Sequence, residues 1–170
     1  MVIYMFYYIN FFFVCSFLGY IQETILKTFF FHSMNNGILF GPWIPVYGFG
    51  GVIILIVCKY IFKKFKWNNF MKTIACVLTT VILLTLLEFL GGMLIEKIFH
   101  KVFWDYSDLK FNIGHYIALE ISAIWGLFTI LFIYFIGPFI ELVIKKIPKW
   151  FTILLVFLFI VDVIATLILA

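Results

Sequence analysis

Five apolar stretches, each roughly 20 residues or longer, dominate this chain of 170 residues, and about 20 helical residues cross the roughly 30 Å of bilayer hydrocarbon. They cover about residues 3–31, 43–62, 70–96, 114–140 and 150–170. A chain that is 66% hydrophobic and 12% charged has no material for a soluble globular enzyme, since soluble domains are about 45–50% apolar. The connections between stretches are too short for a further domain. An all-α polytopic membrane bundle is therefore expected, with residues 1–170 as one integral membrane domain and about five transmembrane helices. The N-terminal stretch has no basic leader and no A-x-A cleavage site, so it is expected to be a real span.

The net charge of +4 comes from lysines alone, with no arginine. That gives no nucleic-acid footprint and no bidentate guanidinium clamp. The Lys, Phe, Ile and Asn bias is what AT-rich codons produce and points to a low-GC bacterial source. Lysines in short loops set orientation. Lys59, Lys63, Lys64, Lys66 and Lys72 lie between the second and third spans, and Lys145, Lys146 and Lys149 between the fourth and fifth. Both loops should face the cytoplasm, which places the N-terminus inside and the C-terminus outside a bacterial plasma membrane. Lys27, Lys97, Lys101 and Lys110 oppose the rule, with Glu23, Glu96, Asp105 and Asp108 nearby to offset them.

Two unusual loops then lie outside. Residues 35–51 hold Asn36, Gly37, Gly41, Pro42, Pro45, Tyr47 and Gly48. Proline removes N–H donors and glycine admits positive φ, so a re-entrant or unwound start to the second span is expected around Gly41, Pro42, Pro45 and Gly48. Irregular backbone at membrane depth persists only where protein or a water-filled cavity satisfies it. The second loop carries Trp104, Asp105, Tyr106, Ser107 and Asp108, followed by Asn112, Gly114 and His115, an aromatic and polar mix suited to the interface.

Ionisable groups inside a span are costly and mark functional sites by default. Glu23, Glu88 and Glu120 each lie roughly 9–12 Å inside the external end of their spans at 1.5 Å per residue, with Glu96 nearer the mouth. Small or polar stripes carry them: Ser16, Gly19, Glu23 and Lys27; Glu88, Gly91, Gly92 and Glu96; Asn112, Tyr116, Glu120 and Ala123. The alternative is that these carboxyls are interhelical hydrogen-bond glue. Three at one level, beside a broken loop, favour a cavity. Asp162, with Thr166 one turn on, reads as a local polar contact.

Other chemistry is weakly signalled. His32, His100 and His115 show no H-E-x-x-H spacing and read as interfacial residues, so no metal site is expected. Cys15, Cys58 and Cys76 form no CxxC pair and read as small buried residues. Walker A, G-x-S-x-G and G-x-G-x-x-G motifs do not occur, so no cofactor and no catalytic residue is expected. ATP, if it drives the system, binds a separate subunit.

Several strings together resemble the bacterial family labelled "putative ABC-transporter permease, type IV". They are Gly19 to Glu23, Asn36 to Pro42 with Pro45 to Gly50, Glu88 to Gly92 with Glu96 to Phe99, Trp104 to Ser107, Phe111 to Gly114 and Ser122 to Gly126, which includes Trp125. The likeness spans about residues 10–130. It implies a membrane subunit of a transport system, partnered by lipid and by an ATPase or other membrane subunit, with homo-oligomerisation open. The expected reading is an external acidic cavity for a small polar or cationic solute, lined by Glu23, Glu88, Glu96, Asp105 and Glu120 and closed by the Gly/Pro loop. An intramembrane enzyme acting on a lipid or envelope substrate, and a membrane scaffold, stay open as alternatives.

Overall fold

A chain placed in hydrocarbon must satisfy every backbone polar group within itself, and helices do so segment by segment. The computed structural model describes residues 2–28 and 37–169. Its helices are α1 (Val2–Leu26), α2 (Pro45–Leu55), α3 (Asn69–Phe99), α4 (Leu119–Leu131), α5 (Gly137–Ile144) and α6 (Lys149–Leu169). A π turn over Ile56–Ile61 and a 3-10 turn over Phe62–Lys64 prolong α2, while a π turn over Phe132–Ile136 joins α4 to α5. Among the described residues, five helical segments are long and apolar enough to cross a membrane: Tyr4–Leu26, Pro45–Lys64, Asn69–Phe99, Leu119–Ile144 and Lys149–Leu169. The fold is thus an all-α membrane bundle. Its one small sheet among the described residues pairs β1 (Asn112–Ile113) antiparallel with β2 (Ile117–Ala118).

Local chemistry explains where the helices start and break. Asn68 caps α3, its Oδ1 accepting from Met71 N at 2.8 Å, and His100 closes the helix in the left-handed region at φ 53°. In the joined α4–α5 segment, Pro138 has no N–H to give, and a proline ring crowds the carbonyl one turn back. The wider π turn absorbs this, with Gly137 N bonding to Phe132 O. A Cβ at Gly137 would sit 2.9 Å from that same oxygen, so glycine is needed there.

The chain divides into two compact units, Met1–Gly51 with Phe139–Ala170, and Val52–Pro138. Within the second unit, the buried residues of α3 are Cys76, Thr80, Leu84, Glu88 and Gly92, a stripe at every fourth position. It meets Ser122, Gly126 and Thr129 of α4. Thr80 Oγ1 lies 3.1 Å from Thr129 Oγ1, and Thr85 Oγ1 lies 2.8 Å from Ser122 Oγ. Leu78, Ile82, Leu86 and Leu90 point outward instead. Small and polar residues inside with large apolar ones outside is the arrangement expected when lipid is the solvent, because lipid tails are as apolar as leucine.

Within the first unit, α1 and α6 are joined by Thr152 Oγ1 donating to Asn10 Oδ1 at 2.7 Å, both residues buried. Tyr7 donates to Glu141 Oε1 at 3.1 Å. Phe12, Phe13, Trp43 and Phe159 pack edge to face between them.

The observed boundaries differ from the expected ones in instructive places. Residues 29–31 of the first expected span lie outside the described residues, as do His32, Asn35 and Asn36. Among the described residues of the Gly/Pro loop, nonhelical backbone covers residues 37–44, because Pro45 begins α2, where a missing N–H costs nothing. Gly48 is helical. Its lack of a side chain lets α2 press on Ser16 and Phe12 of α1, and Gly19 of α1 does the same for Tyr47. The fourth transmembrane helix starts at Leu119, so Asn112 and Tyr116 belong to the hairpin segment and the expected stripe from Asn112 to Ala123 does not form one helical face.

Candidate functional site

Glu88, Gly92 and Glu96 succeed one another at four-residue steps along α3, so they share one side of the helix. Glu88 is 6% exposed. Its Oε1 accepts from Tyr106 Oη at 2.9 Å and its Oε2 from Trp125 Nε1 at 3.2 Å. Glu96 lies further along, its side chain 36% exposed, and its Oε2 receives Tyr116 Oη and lies 2.9 Å from His115 Nε2. Between the two carboxyls, Gly92 makes room: a Cβ there would stand 2.7 Å from Tyr116 Cδ1 and 3.0 Å from Trp104 Cζ2.

The segment that supplies these partners is built by its own hydrogen bonds. Asp105 turns the chain by accepting from Ser107 N at 2.8 Å and from the Ser107 hydroxyl, and these two bonds hold its carboxyl below the ordinary carboxylate range. Tyr106 N donates to His115 O at 3.0 Å, and Trp104 Nε1 to Tyr116 O at 3.0 Å. Asn112 Nδ2 binds Ser107 O and Leu109 O at 3.0 and 2.6 Å. Gly114, at φ 61°, turns the hairpin that delivers His115 and Tyr116 to Glu96. The Tyr116 phenol is raised above its ordinary value, chiefly because its proton is shared with Glu96. Gly92, Ile95, Glu96, Val102, Phe103, Trp104, His115 and Tyr116 line a shallow open notch with room for about one water molecule.

Glu120 sits in the first turn of α4, where its charge complements the helix N-terminus. Its Oε1 accepts from Phe111 N at 3.2 Å, and its Oε2 is buried without a hydrogen-bond partner. This one unit therefore brings together Glu88, Glu96, Trp104, Asp105, Tyr106, Asn112, Glu120 and Trp125. Asp105, Trp104 and Asn112 spend their polar atoms on the segment itself.

The other expected residues belong to the first unit. Glu23 pairs with Lys27 at 3.0 Å on the same helix. Gly37 has φ 71°, and Gly41 carries a carbonyl that accepts from Trp43 N at 2.8 Å. Pro42 lies in the nonhelical run, while Pro45, Tyr47 and Gly48 lie in α2. Asn36 is outside the described residues.

Sequence reasoning missed what holds this loop. Asp162, 8% exposed in α6, accepts from Phe40 N at 3.0 Å, Gly41 N at 2.8 Å and Trp43 Nε1 at 2.6 Å, with Thr166 Oγ1 at 3.4 Å. It is far more than a local contact with Thr166. The signal available was a lone carboxylate in an apolar span, which needs donors, and an irregular loop, which has donors to give. His115 and Tyr116 were likewise undervalued; an αL glycine just before them is the turn signal that pointed to a hairpin.

Comparison with curated proteins and with solved structures returns no match. A family profile described as "Putative ABC-transporter type IV" matches residues 10–168, nearly the whole chain. Together with five apolar helices of spanning length, that match makes this a transport-related membrane protein, and the chain belongs to that family.

Proposed function

We propose that the chain is a membrane subunit of a transport system, and that Glu88 and Glu96, with the segment 100–118, form an external-side acidic site for a small polar or cationic solute. The observation that carries this reading is Glu88. A carboxyl 6% exposed in a spanning helix, held by Tyr106 from an interfacial segment and by Trp125 from α4, is expensive to keep and is placed where a neighbouring notch opens at Glu96. The lysine-rich loops favour an orientation with segment 100–118 outside and the N-terminus in the cytoplasm. With no nucleotide motif in this sequence, ATP, if it drives the system, binds a separate subunit. Glu23, paired with Lys27, and the loop 37–44, held by Asp162, belong to the first unit.

A ligand screen on purified protein tests it. A solute that binds the folded state at 100 times its Kd stabilises it by about 2.7 kcal/mol. Small amines and mono- and divalent cations should raise the melting temperature of the wild type and not of Glu88→Gln or Glu96→Gln, each still folded. A Glu88→Gln, Glu96→Gln double variant that keeps the full ligand response would refute the site.

A further inference from the structure

Two of the three cysteines come together in the structure although the sequence holds them well apart. The bend between the 3-10 turn and α3 folds the π turn Ile56–Ile61 back alongside α3, and Cys58 and Cys76 stand equally far in sequence from Trp67 at that bend. An antiparallel helix pair with a short connection brings such positions to one level. Here the π turn Ile56–Ile61 packs against α3 and the two thiol side chains come within interacting distance of each other. Cys58 lies in the π turn Ile56–Ile61, a widened geometry that recurs at functional sites, and it is half-buried; Cys76 is buried at 3% exposure. Cys15, by contrast, is buried in α1.

We propose that Cys58 and Cys76 form a reversible redox pair that closes to a disulfide when a peroxide reaches it. Thiolate is the reactive form of a cysteine. One thiolate attacks a peroxide oxygen. The O–O bond breaks, a sulfenic acid forms, and the departing hydroxide takes up the proton the thiol shed. The second thiol then attacks the sulfenic sulfur, the S–S bond forms and water leaves. Two thiols and one hydrogen peroxide give one disulfide and two waters, with sulfur oxidised and peroxide reduced. A small uncharged oxidant reaches the pair from either side of the bilayer, so the reaction does not depend on orientation. The bond ties the π turn Ile56–Ile61 to α3, the helix that also carries Glu88 and Glu96. A dithiol reductant reverses it by thiolate exchange.

The test uses the full chain in membranes, treated with hydrogen peroxide, then denatured and probed with a maleimide polymer that counts free thiols. The wild type should fall from three reactive thiols to one and return to three after dithiothreitol, with a loss of two hydrogens in intact mass. Cys15→Ser should lose both of its thiols, whereas Cys58→Ser and Cys76→Ser should each keep both of theirs. Three thiols surviving in the wild type would overturn the proposal. So would a mass gain of oxygen, a covalent dimer on a nonreducing gel, or equal thiol loss in Cys58→Ser. The wild-type mass decides the matter by itself if a serine variant fails to accumulate.

Discussion

Trp43 Nε1 donates to Asp162 Oδ2 across 2.6 Å, joining the loop before α2 to the middle of α6. The same carboxylate oxygen receives Gly41 N at 2.8 Å, and its partner oxygen receives Phe40 N at 3.0 Å. A nonhelical backbone run in a membrane protein thereby finds an acceptor for two amides that no helix can satisfy.

Removal of that acceptor strands several donors at once. Asp162→Ala should destabilise the protein by about 3 kcal/mol or more, since hydrogen bonds to a charged group contribute about 1.5–3 kcal/mol each and orphaned buried donors add to the loss. Trp43→Phe removes one donor and leaves the two amides in place, so it should cost about 1–2 kcal/mol. Thermal unfolding in detergent of the two variants checks the order. Equal losses would mean that the amide bonds carry no weight.

Adjacent glycines in α3 should behave oppositely. A Cβ at Gly91 meets nothing within 4 Å, while one at Gly92 runs into Tyr116 and Trp104. Gly91→Ala should be neutral or slightly stabilising, by up to about 1 kcal/mol from helix propensity. Gly92→Ala should cost about 1–3 kcal/mol, the usual range for overpacking. Their melting temperatures, compared side by side, decide whether Trp104 and Tyr116 rest on Gly92.

Asp105 gives a pH prediction. Its carboxyl is lowered from the ordinary value of 3.8 by the Ser107 hydroxyl first and the Ser107 amide second. A group with a depressed folded-state pKa contributes stability that is present above its unfolded value and is lost as pH falls through the folded one. Wild type should therefore exceed Asp105→Asn in melting temperature at neutral pH, and the gap should close only below pH 3.8. A gap that stays constant down to strong acid would show that the charge of Asp105 is irrelevant to the turn.

Orientation can be read with a membrane-impermeant thiol reagent. In a chain whose native cysteines are replaced by serine, Lys64→Cys and Lys146→Cys should be protected in intact cells, and Asp108→Cys should label. The reverse pattern would invert the topology and move the carboxylate site to the cytoplasmic side.

The candidate site was legible in part for a definite reason. Glu88 and Glu96 stand out because a charge in an apolar run is anomalous whatever it touches, and their shared face follows from helical spacing. Tyr106, Trp125, His115 and Tyr116 reach them from loops and from another helix. No periodicity in α3 specifies those partners. Asn112 and Tyr116 fit a helical stripe on paper, but the hydrogen bonds from Trp104 and Tyr106 to this stretch belong to a hairpin geometry, and the spanning helix begins only at Leu119.

What the sequence by itself determined is local: which runs can cross hydrocarbon, which loops carry lysine, and that Gly41 and Pro42 interrupt a regular helix. Hydropathy and backbone sterics act on neighbours along the chain, so they can be read from it. Tertiary structure alone decided that Asp162 holds Gly41 and Trp43, that Gly48 packs on Ser16, and that Cys58 meets Cys76. Each of these joins residues on different elements. Their pairing depends on how helices are brought side by side, and in lipid that is set by small-residue packing and by polar groups seeking partners, not by hydrophobic pattern.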